Sequence, residues 1–285
     1  MLQAIHLLIT HGSRNIRSQQ SAEQLRSRIE LCLRSDPSLF SAEQRIEHAV
    51  LEGGATPLHA QILDYAAQAR SEGLGRLQLL PLFLMPGVHV MEDLPQEVAL
   101  AQKKLVDRDP SFKLSTLPYL GHQLQTHPQA LASAWGSELG GDSFNGDSFN
   151  GDSFSGASLG GASLGGASRV AKVLLSHGSR RSDSTLLSEQ FAASIGATPA
   201  YWSIEPSLTQ TVERLFREGY EEIQVLLYFL FPGAITATIE ESIVELRQSY
   251  PRLNLTCKST LDQISEFPKF MADLLQTSSV QSRSS

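Results

Sequence analysis

Cysteine is scarce in this chain of 285 residues, and its scarcity excludes two kinds of protein. The two cysteines, Cys32 and Cys257, lie far apart and form no CxxC motif. They therefore support neither a disulfide framework nor a cysteine-based metal or iron–sulfur site. We expect two buried single thiols in a protein of a reducing compartment.

Positive charge is not in excess either. The chain has 23 lysines and arginines against 30 acidic residues, a net charge of −7. Residues 1–140 and 169–285 are each mildly acidic, and so is the segment between them. Because a nucleic-acid-binding surface is strongly basic, we predict no nucleic acid partner.

Long hydrophobic runs are missing as well. The longest, Leu77 to Met91, is interrupted by Pro81 and Pro86, and it is shorter than the roughly 20 residues that span a bilayer. The N-terminal sequence MLQAIHLLITHGSR has no basic region before its apolar run and does not resemble a signal peptide. We therefore expect a cytoplasmic protein with no membrane partner.

An internal duplication is the most informative feature that is present. LLITHGSRN (7–15) reappears as VLLSHGSRR (173–181), and PLFLMPGVHV (81–90) reappears as LYFLFPGAIT (227–236). Two markers repeated in the same order indicate two related copies of one unit. Each copy is long enough to bury a core of its own.

Within each copy, apolar strands alternate with amphipathic helices. In the first copy the pattern predicts strands over Ala4–Thr10, Arg45–Leu51, Arg76–Leu84 and Phe112–Leu117. It predicts helices over Ser18–Arg34, Thr56–Glu72 with Pro57 in its first turn, and Met91–Val106, and a short helix ending near Gly136. The second copy predicts strands near 170–176, 198–203, 222–230 and 252–257. Apolar strands separated by helices predict an α/β fold of two lobes, each a four-stranded parallel sheet flanked by helices.

Glycine is concentrated between the two copies. Nine of the 21 glycines lie between Gly140 and Gly166, in five-residue repeats such as GDSFN and GASLG. A small ordered repeat coil is one interpretation, but the glycine and serine content favours a flexible linker. We therefore predict three regions: a lobe with the active site over 1–140, a linker over 141–168, and a degenerate second lobe with a serine-rich tail over 169–285.

Polar residues follow three of the predicted strands in the first copy. His11 comes after the first strand, Glu52 after the second and His89 after the third. Because ligands bind beyond the carboxyl ends of parallel strands, we expect these three side chains to converge. Imidazole and carboxylate suit a divalent ion such as Fe²⁺, Co²⁺, Ni²⁺ or Zn²⁺, and a neutral imidazole can accept a proton. Each of the three could alone be a packing, capping or surface residue, so their convergence carries the prediction.

The second copy serves as an internal control on this site. It keeps His177 opposite His11, but it has Ile235 opposite His89 and Thr238 opposite Glu92, and it shows no clear counterpart of Glu52. An aliphatic side chain neither binds a metal nor moves a proton. We therefore predict a working site in the first copy only.

Neighbouring residues supply further candidates. Glu92 is either a proton relay to His89 or a carboxylate at a helix N-terminus. Ser13 and Arg14 are candidate binding residues or ordinary cap and surface residues, and Gly87 leaves room for a ligand. His6, His48, His59, His122 and His127 are interpreted as packing or surface residues. Phosphate-binding motifs of the GxxxxGK[ST] and GxGxxG types are absent.

LLITHGSR, VLEGG and PLFLMPGVHVMEDLP together resemble the class II tetrapyrrole chelatases of the CbiX/SirB type, in their long two-copy form. The resemblance covers residues 1–136 and 169–275. It implies that His11 and His89 handle the metal and accept protons, with Glu52 as a third ligand. It also implies an ATP-independent insertion of Fe²⁺ into sirohydrochlorin to give sirohaem.

The resemblance defines the partners and leaves alternatives open. The partners are a polycarboxylate tetrapyrrole, which Arg14 and Arg17 could receive, and a divalent metal that is a substrate rather than a tightly bound cofactor. Cobalt insertion on the way to a corrinoid is one alternative, and a non-catalytic metal or tetrapyrrole carrier is another. We expect a monomer whose two lobes form a pseudo-dimer.

Overall fold

The computed structural model describes residues 4–35, 45–128, 135, 169–179 and 182–281. The predicted linker, 141–168, and the predicted helix end near Gly136 lie outside the described residues. No helix in the described ranges combines the length and the apolar composition needed to cross a membrane.

The first copy alternates strands and helices as predicted. Its elements are β1 (Ala4–Thr10), α1 (Ile16–Ser35), β2 (Arg45–Val50), α2 (Leu58–Ser71), β3 (Arg76–Pro81), a π-helical turn (His89–Asp93), α3 (Leu94–Arg108), β4 (Lys113–Thr116) and α4 (Leu120–Thr126).

The second copy repeats the pattern. Its elements are β5 (Val170–Ser176), α5 (Ser182–Ser194), β6 (Thr198–Tyr201), α6 (Leu208–Arg217), β7 (Glu222–Leu227), α7 (Ala234–Ser249), β8 (Asn254–Cys257), a 3₁₀ turn (Leu261–Gln263) and α8 (Phe267–Gln281).

Each copy forms one four-stranded sheet in which every pairing is parallel. The strand orders are β2-β1-β3-β4 and β6-β5-β7-β8. The α/β fold with two parallel-sheet lobes is therefore confirmed. In this order β1 lies between β2 and β3, so the carboxyl ends of all three strands meet at one edge. The direction of winding reverses between β1 and β3, which is where ligands bind in open parallel sheets.

Both faces of the first sheet are covered. Alternate residues of β1, such as Ile5 and Leu7, pack with the apolar sides of α2 and α3. Leu8 lies on the opposite face, in a cluster with Leu25 and Ile29 of α1. Burial on both faces explains why the strands are apolar throughout rather than alternating.

The two copies share one apolar core. The cluster that contains α1 also contains Leu174 of β5, Phe267 and Met271 of α8, and Phe191 of α5. Arg28 of α1 adds polar contacts, since it donates hydrogen bonds to the carbonyl oxygens of Asp262 (2.5 Å) and Ile264 (3.2 Å). The duplicated lobes are therefore packed together as one unit over a continuous buried surface.

Several element boundaries differ from the sequence prediction by a few residues, and three of the differences lie near the candidate ligands or the helices that follow them. β3 ends at Pro81 rather than Leu84, because residues beyond it turn out of the sheet towards the second copy. Pro57 is the N-cap of α2 rather than part of its first turn. The predicted helix over Met91–Val106 starts earlier, as a π-helical turn at His89 that continues into α3.

Candidate metal centre

A close contact between two loops positions the first two candidate ligands. The backbone N–H of Glu52, after β2, donates to the carbonyl oxygen of His11, after β1, at 2.8 Å. Gly12 has a φ of +98°, and a Cβ at that position would lie 2.0 Å from the Glu52 carbonyl oxygen. Only glycine combines this conformation with this approach, so Gly12 brings the two loops together.

The third candidate ligand begins the π-helical turn after β3. The backbone N–H groups of Val90 and Met91 donate to the carbonyl oxygen of Gly87 at 3.1 and 2.9 Å, which fixes the start of the turn. His89 Nδ1 lies 2.8 Å from Asp93 Oδ2, four residues further on. Single π turns in helices are rare and are frequent at functional sites.

The imidazoles of His11 and His89 face each other. Their Nε2 atoms are 3.1 Å apart, and the ring planes are nearly perpendicular, at 87°. His11 Nδ1 donates to the Gly12 carbonyl oxygen at 3.1 Å, and His89 Nδ1 faces the Asp93 carboxylate. This pattern assigns the hydrogen of each neutral ring to Nδ1, so both Nε2 lone pairs point to one place. Two lone pairs at this distance repel unless a proton or a cation lies between them.

Glu52 completes the group. Its Oε2 lies 3.9 Å from His11 Nε2 and its Oε1 lies 3.5 Å from His89 Nδ1. One ligand atom from each of His11, Glu52 and His89 lies within 4.8 Å of the others. The side chains of His11, Glu52 and His89 are 49, 55 and 39% exposed, so an ion and a large substrate can both reach them. Two imidazoles and a carboxylate form a donor set for a divalent first-row metal.

A cleft of about 530 Å³ opens beside this group. The cleft is lined by residues of the β1 and β2 ends, of α1, and of the segment after β7 of the second copy. Its lining residues are Thr10, His11, Gly12, Ser13, Ser18, Gln19, Ala22, Glu23, His48, Val50, Glu52, Gly53, Leu82, Leu230 and Phe231. This group of candidate ligands therefore borders a pocket that both copies build.

The remaining predicted residues lie around the same edge. Ser13 lines the cleft, and its Oγ accepts a hydrogen bond from the Asn15 N–H at 3.1 Å. Arg14 is exposed next to it, and Gly87 has open space where a side chain would be. Glu92 is exposed, and Asp93 is the acidic residue of this turn that contacts His89.

Two residues of this region, Asp93 and His48, are not among the predicted site residues. Asp93 could have been found from its spacing, since i and i+4 side chains on one turn are neighbours. The sequence predicts His48 to be a packing or surface residue, but it lines the cleft and its Nε2 lies 2.8 Å from Thr10 Oγ1. The place of His48 in the sequence does not predict that it lines the cleft, because this depends on which face of β2 is turned towards α1.

Charges in the cleft are shifted by their surroundings. Burial lowers the pKa of His48, which keeps its imidazole neutral. A hydrogen bond from Arg26 lowers the pKa of Glu23, which also lines the cleft. The lining of the cleft therefore includes a neutral imidazole and a carboxylate.

Two other histidines have structural environments. His6 is fully buried in β1, where burial lowers its pKa to about 4. His59 binds Glu97 of α3 through both its backbone N–H (2.7 Å) and its Nδ1 (2.8 Å). Neither residue lines the cleft.

The second copy has a counterpart of Glu52 that the sequence did not reveal. The Ser203 N–H donates to the His177 carbonyl oxygen at 2.9 Å, as the Glu52 N–H does to that of His11. His177 Nδ1 also bonds the next carbonyl oxygen, that of Gly178, at 2.9 Å. The group His11, Glu52 and His89 thus corresponds to His177, Ser203 and Ile235, in which one ligand type survives.

Comparison with known proteins agrees with the duplication. The family model described as CbiX matches residues 6–129 and 171–278, one segment in each copy. No curated protein matches the chain.

Solved structures share the whole architecture. SirB from Bacillus subtilis with Fe³⁺ has a TM-score of 0.65 and 19% identity, over 97% of this chain and 94% of that one. SirB from Bacillus subtilis subspecies spizizenii, described as a sirohydrochlorin chelatase in complex with cobalt, has a TM-score of 0.56 and 20% identity over the same shares. A CbiX described as the terminal enzyme of sirohaem biosynthesis in denitrifying bacteria has a TM-score of 0.56 and 18% identity, over 95% of this chain and 98% of that one.

Proposed function

The chain belongs to the CbiX family, and on this premise we propose that it is a sirohydrochlorin chelatase that inserts Fe²⁺ without ATP to give sirohaem. The observation that carries the proposal is the convergence of the His11 and His89 Nε2 atoms, 3.1 Å apart, beside Glu52. This geometry suits a metal ion that is held briefly and then given up.

Metallation requires a place for the arriving ion. We assign this to the Nε2 atoms of His11 and His89 and a carboxylate oxygen of Glu52, which together offer two neutral donors and one negative charge. Three exposed protein ligands leave further coordination positions open to the pyrrole nitrogens of the substrate. An open site of this kind lets the ion pass from protein to macrocycle one bond at a time.

Metallation also releases two protons from pyrrole nitrogens. Each imidazole Nε2 that loses the metal regains a free lone pair and can accept one of these protons. The Asp93 carboxylate, 2.8 Å from His89 Nδ1, stabilises the resulting imidazolium. Glu92, exposed on the same turn, is our candidate for passing the proton to solvent, and Ser13, Arg14 and Gly87 are our candidates for contact with the substrate.

Cobalt insertion into the same substrate is the second candidate function. Imidazole and carboxylate ligands bind Fe²⁺ and Co²⁺ alike, and one similar structure contains cobalt. We further propose that the protein works in the cytoplasm as a monomer whose lobes form a pseudo-dimer, without a nucleic acid or membrane partner.

Insertion kinetics test the proposal directly. The absorbance change of sirohydrochlorin is followed without oxygen, with Fe²⁺, Co²⁺ and Ni²⁺ compared side by side. We expect the highest kcat/KM with Fe²⁺; a higher value with Co²⁺ would assign the cobalt reaction instead. His11→Ala and His89→Ala should each lower kcat/KM by about 100-fold or more, as expected for loss of a metal ligand and proton acceptor.

His177→Ala is the matched control, because His177 makes the same Nδ1 bond in the copy that lacks the other two ligands. It should leave the rate within twofold of the wild type. Undiminished rates in both His11→Ala and His89→Ala would refute the site. Stoichiometric metal binding without turnover above the spontaneous rate would identify a carrier rather than an enzyme.

A further inference from the structure

The segments that follow β3 and β7 each reach across to the other copy. Leu84 and Met85, after β3, pack into the core shared with the second copy, and Met85 Sδ accepts a hydrogen bond from Ser188 of α5 at 3.6 Å. Leu230 and Phe231, after β7, pack into the same core and line the cleft beside the metal-binding group. The two crossing segments, Leu84–Met85 and Leu230–Phe231, are therefore related by the duplication.

The crossing segment Leu230–Phe231 is held firmly. The backbone N–H groups of Leu261 and Asp262 donate to the carbonyl oxygens of Phe229 (2.9 Å) and Leu230 (3.1 Å). Asp262 is in turn bound by Arg28 of α1, and α1 forms another wall of the same cleft. The second copy thus presents Phe231 at a fixed place in a cleft whose reactive groups belong to the first copy.

The two copies contribute different kinds of side chain to the cleft. Its polar groups, among them His11, Glu52 and Ser13, come from the first copy, whereas the second copy supplies two apolar side chains, Leu230 and Phe231. Phe231 is only partly buried, so part of its ring is available to a ligand. A flat conjugated ligand gains from offset or edge contact with such a ring beyond the area that it buries.

We propose that Phe231 contacts the tetrapyrrole macrocycle and determines its affinity, so that the second copy completes the substrate site of the first. This inference rests on the proposed function, because it takes the macrocycle as the ligand of the cleft. The proposal also gives the second copy a role. That copy has only one of the three metal ligand types, and it still forms a wall of the cleft.

Met85 provides a matched control. It occupies the position of Phe231 in the other crossing segment, is also partly buried, and packs against the same core, but it does not line the cleft. Phe231→Ala and Met85→Ala therefore remove comparable packing between the copies, and only the first removes a cleft wall.

The test measures the KM for sirohydrochlorin and, separately, its direct binding to the full chain by quenching of its fluorescence. Phe231→Ala should raise both KM and Kd by about 3- to 10-fold, the size expected for one aromatic contact. kcat and the affinity for Co²⁺, followed by absorption, should stay within twofold. Met85→Ala should leave the KM and Kd unchanged, and Phe231→Trp should restore both.

An unchanged Kd in Phe231→Ala, or equal changes in Phe231→Ala and Met85→Ala, would overturn the inference. The binding measurement needs no turnover. If the wild type binds the macrocycle without metallating it, the proposed function fails while the comparison of Kd values still decides the role of Phe231.

Discussion

The imidazole of His89 is oriented by the side chain four residues after it. Asp93 Oδ2 accepts the Nδ1 hydrogen at 2.8 Å, which directs Nε2 towards His11. A carboxylate behind a metal-binding histidine fixes its tautomer and raises its basicity. The imidazole of His11 is oriented instead by the backbone carbonyl oxygen of Gly12, which accepts its Nδ1 hydrogen. The two histidines are thus held differently, and only the contact of His89 can be removed by a side-chain substitution.

Asp93→Ala should weaken Co²⁺ binding by about 10- to 100-fold, the range found when an outer partner of a metal-binding histidine is lost. Asp93→Asn should lose less, because its amide oxygen can still accept the Nδ1 hydrogen. Titration of Co²⁺ absorption measures both, with Asp107→Ala, an exposed carboxylate of α3, as the control. Equal affinities in all three variants and the wild type would show that Asp93 does not position the ring.

His6 makes stability depend on pH. Burial lowers its pKa from 6.5 to about 4, so between these values the unfolded chain binds a proton that the folded chain does not. The free energy of unfolding should therefore fall as the pH drops through this window, by about 1.4 kcal/mol per pH unit from this residue. His6→Gln should flatten the dependence measured by urea unfolding, whereas His122→Gln, at an exposed position, should not. Parallel curves for His6→Gln and the wild type would contradict the assignment.

Among the elements, the loops that follow β1, β2 and β3 determine where the candidate ligands lie. The β1 and β2 loops touch through the bond from the Glu52 N–H to the His11 carbonyl, and the π-helical turn begins directly after the β3 loop. β1 and β2 pair in register, with Thr10 opposite Val50, so the residues that follow them are adjacent. Strand pairing and one glycine therefore set the distance between His11 and Glu52.

Gly12→Ala should disrupt both the fold locally and the site. The added Cβ would lie 2.0 Å from the Glu52 carbonyl oxygen, and relieving such a contact by backbone movement costs about 1–3 kcal/mol. Gly73→Ala is the control: it has a similar φ of +78° with nothing within 4 Å, so it should cost only the conformational strain of about 1–2 kcal/mol. Urea unfolding and Co²⁺ titration measure the two effects. Intact Co²⁺ binding in Gly12→Ala would show that the loop contact does not set the site.

At the scale of the whole molecule, the two lobes act as one body because their core is shared. α1 of the first copy packs with α8 of the second, and Arg28 joins α1 to the loop that carries Asp262 and Ile264. The same segment donates hydrogen bonds to the carbonyl oxygens of Phe229 and Leu230, directly before Phe231. The packing of the lobes and the shape of the cleft are therefore coupled.

Arg28→Ala should lower the free energy of unfolding by about 1.5–3 kcal/mol, the contribution typical of hydrogen bonds from a charged donor. Arg34→Ala removes the ion pair of the exposed Arg34 side chain with Glu30, inside the first copy, and should cost less than about 1 kcal/mol. Chemical unfolding of the full chain compares the two. A loss no larger in Arg28→Ala than in Arg34→Ala would show that the bonds between the copies add little.

The alternation of strands and helices, the parallel sheets and the duplication could all be predicted from the sequence. Apolar runs such as β1 indicate the first two features, and motifs repeated along the chain indicate the duplication. The sequence also predicted His11, Glu52 and His89 at neighbouring strand ends, since parallel topology alone brings those ends to one edge. Four further features are visible only in the folded chain: Asp93 contacts His89, Ser203 corresponds to Glu52, His48 lines the cleft, and Phe231 lines it from the second copy. These features depend on strand register, ring orientation and the docking of the two lobes. Apart from His89 and Asp93, which are four residues apart, they involve residues whose spacing in the chain carries no sign of the relation.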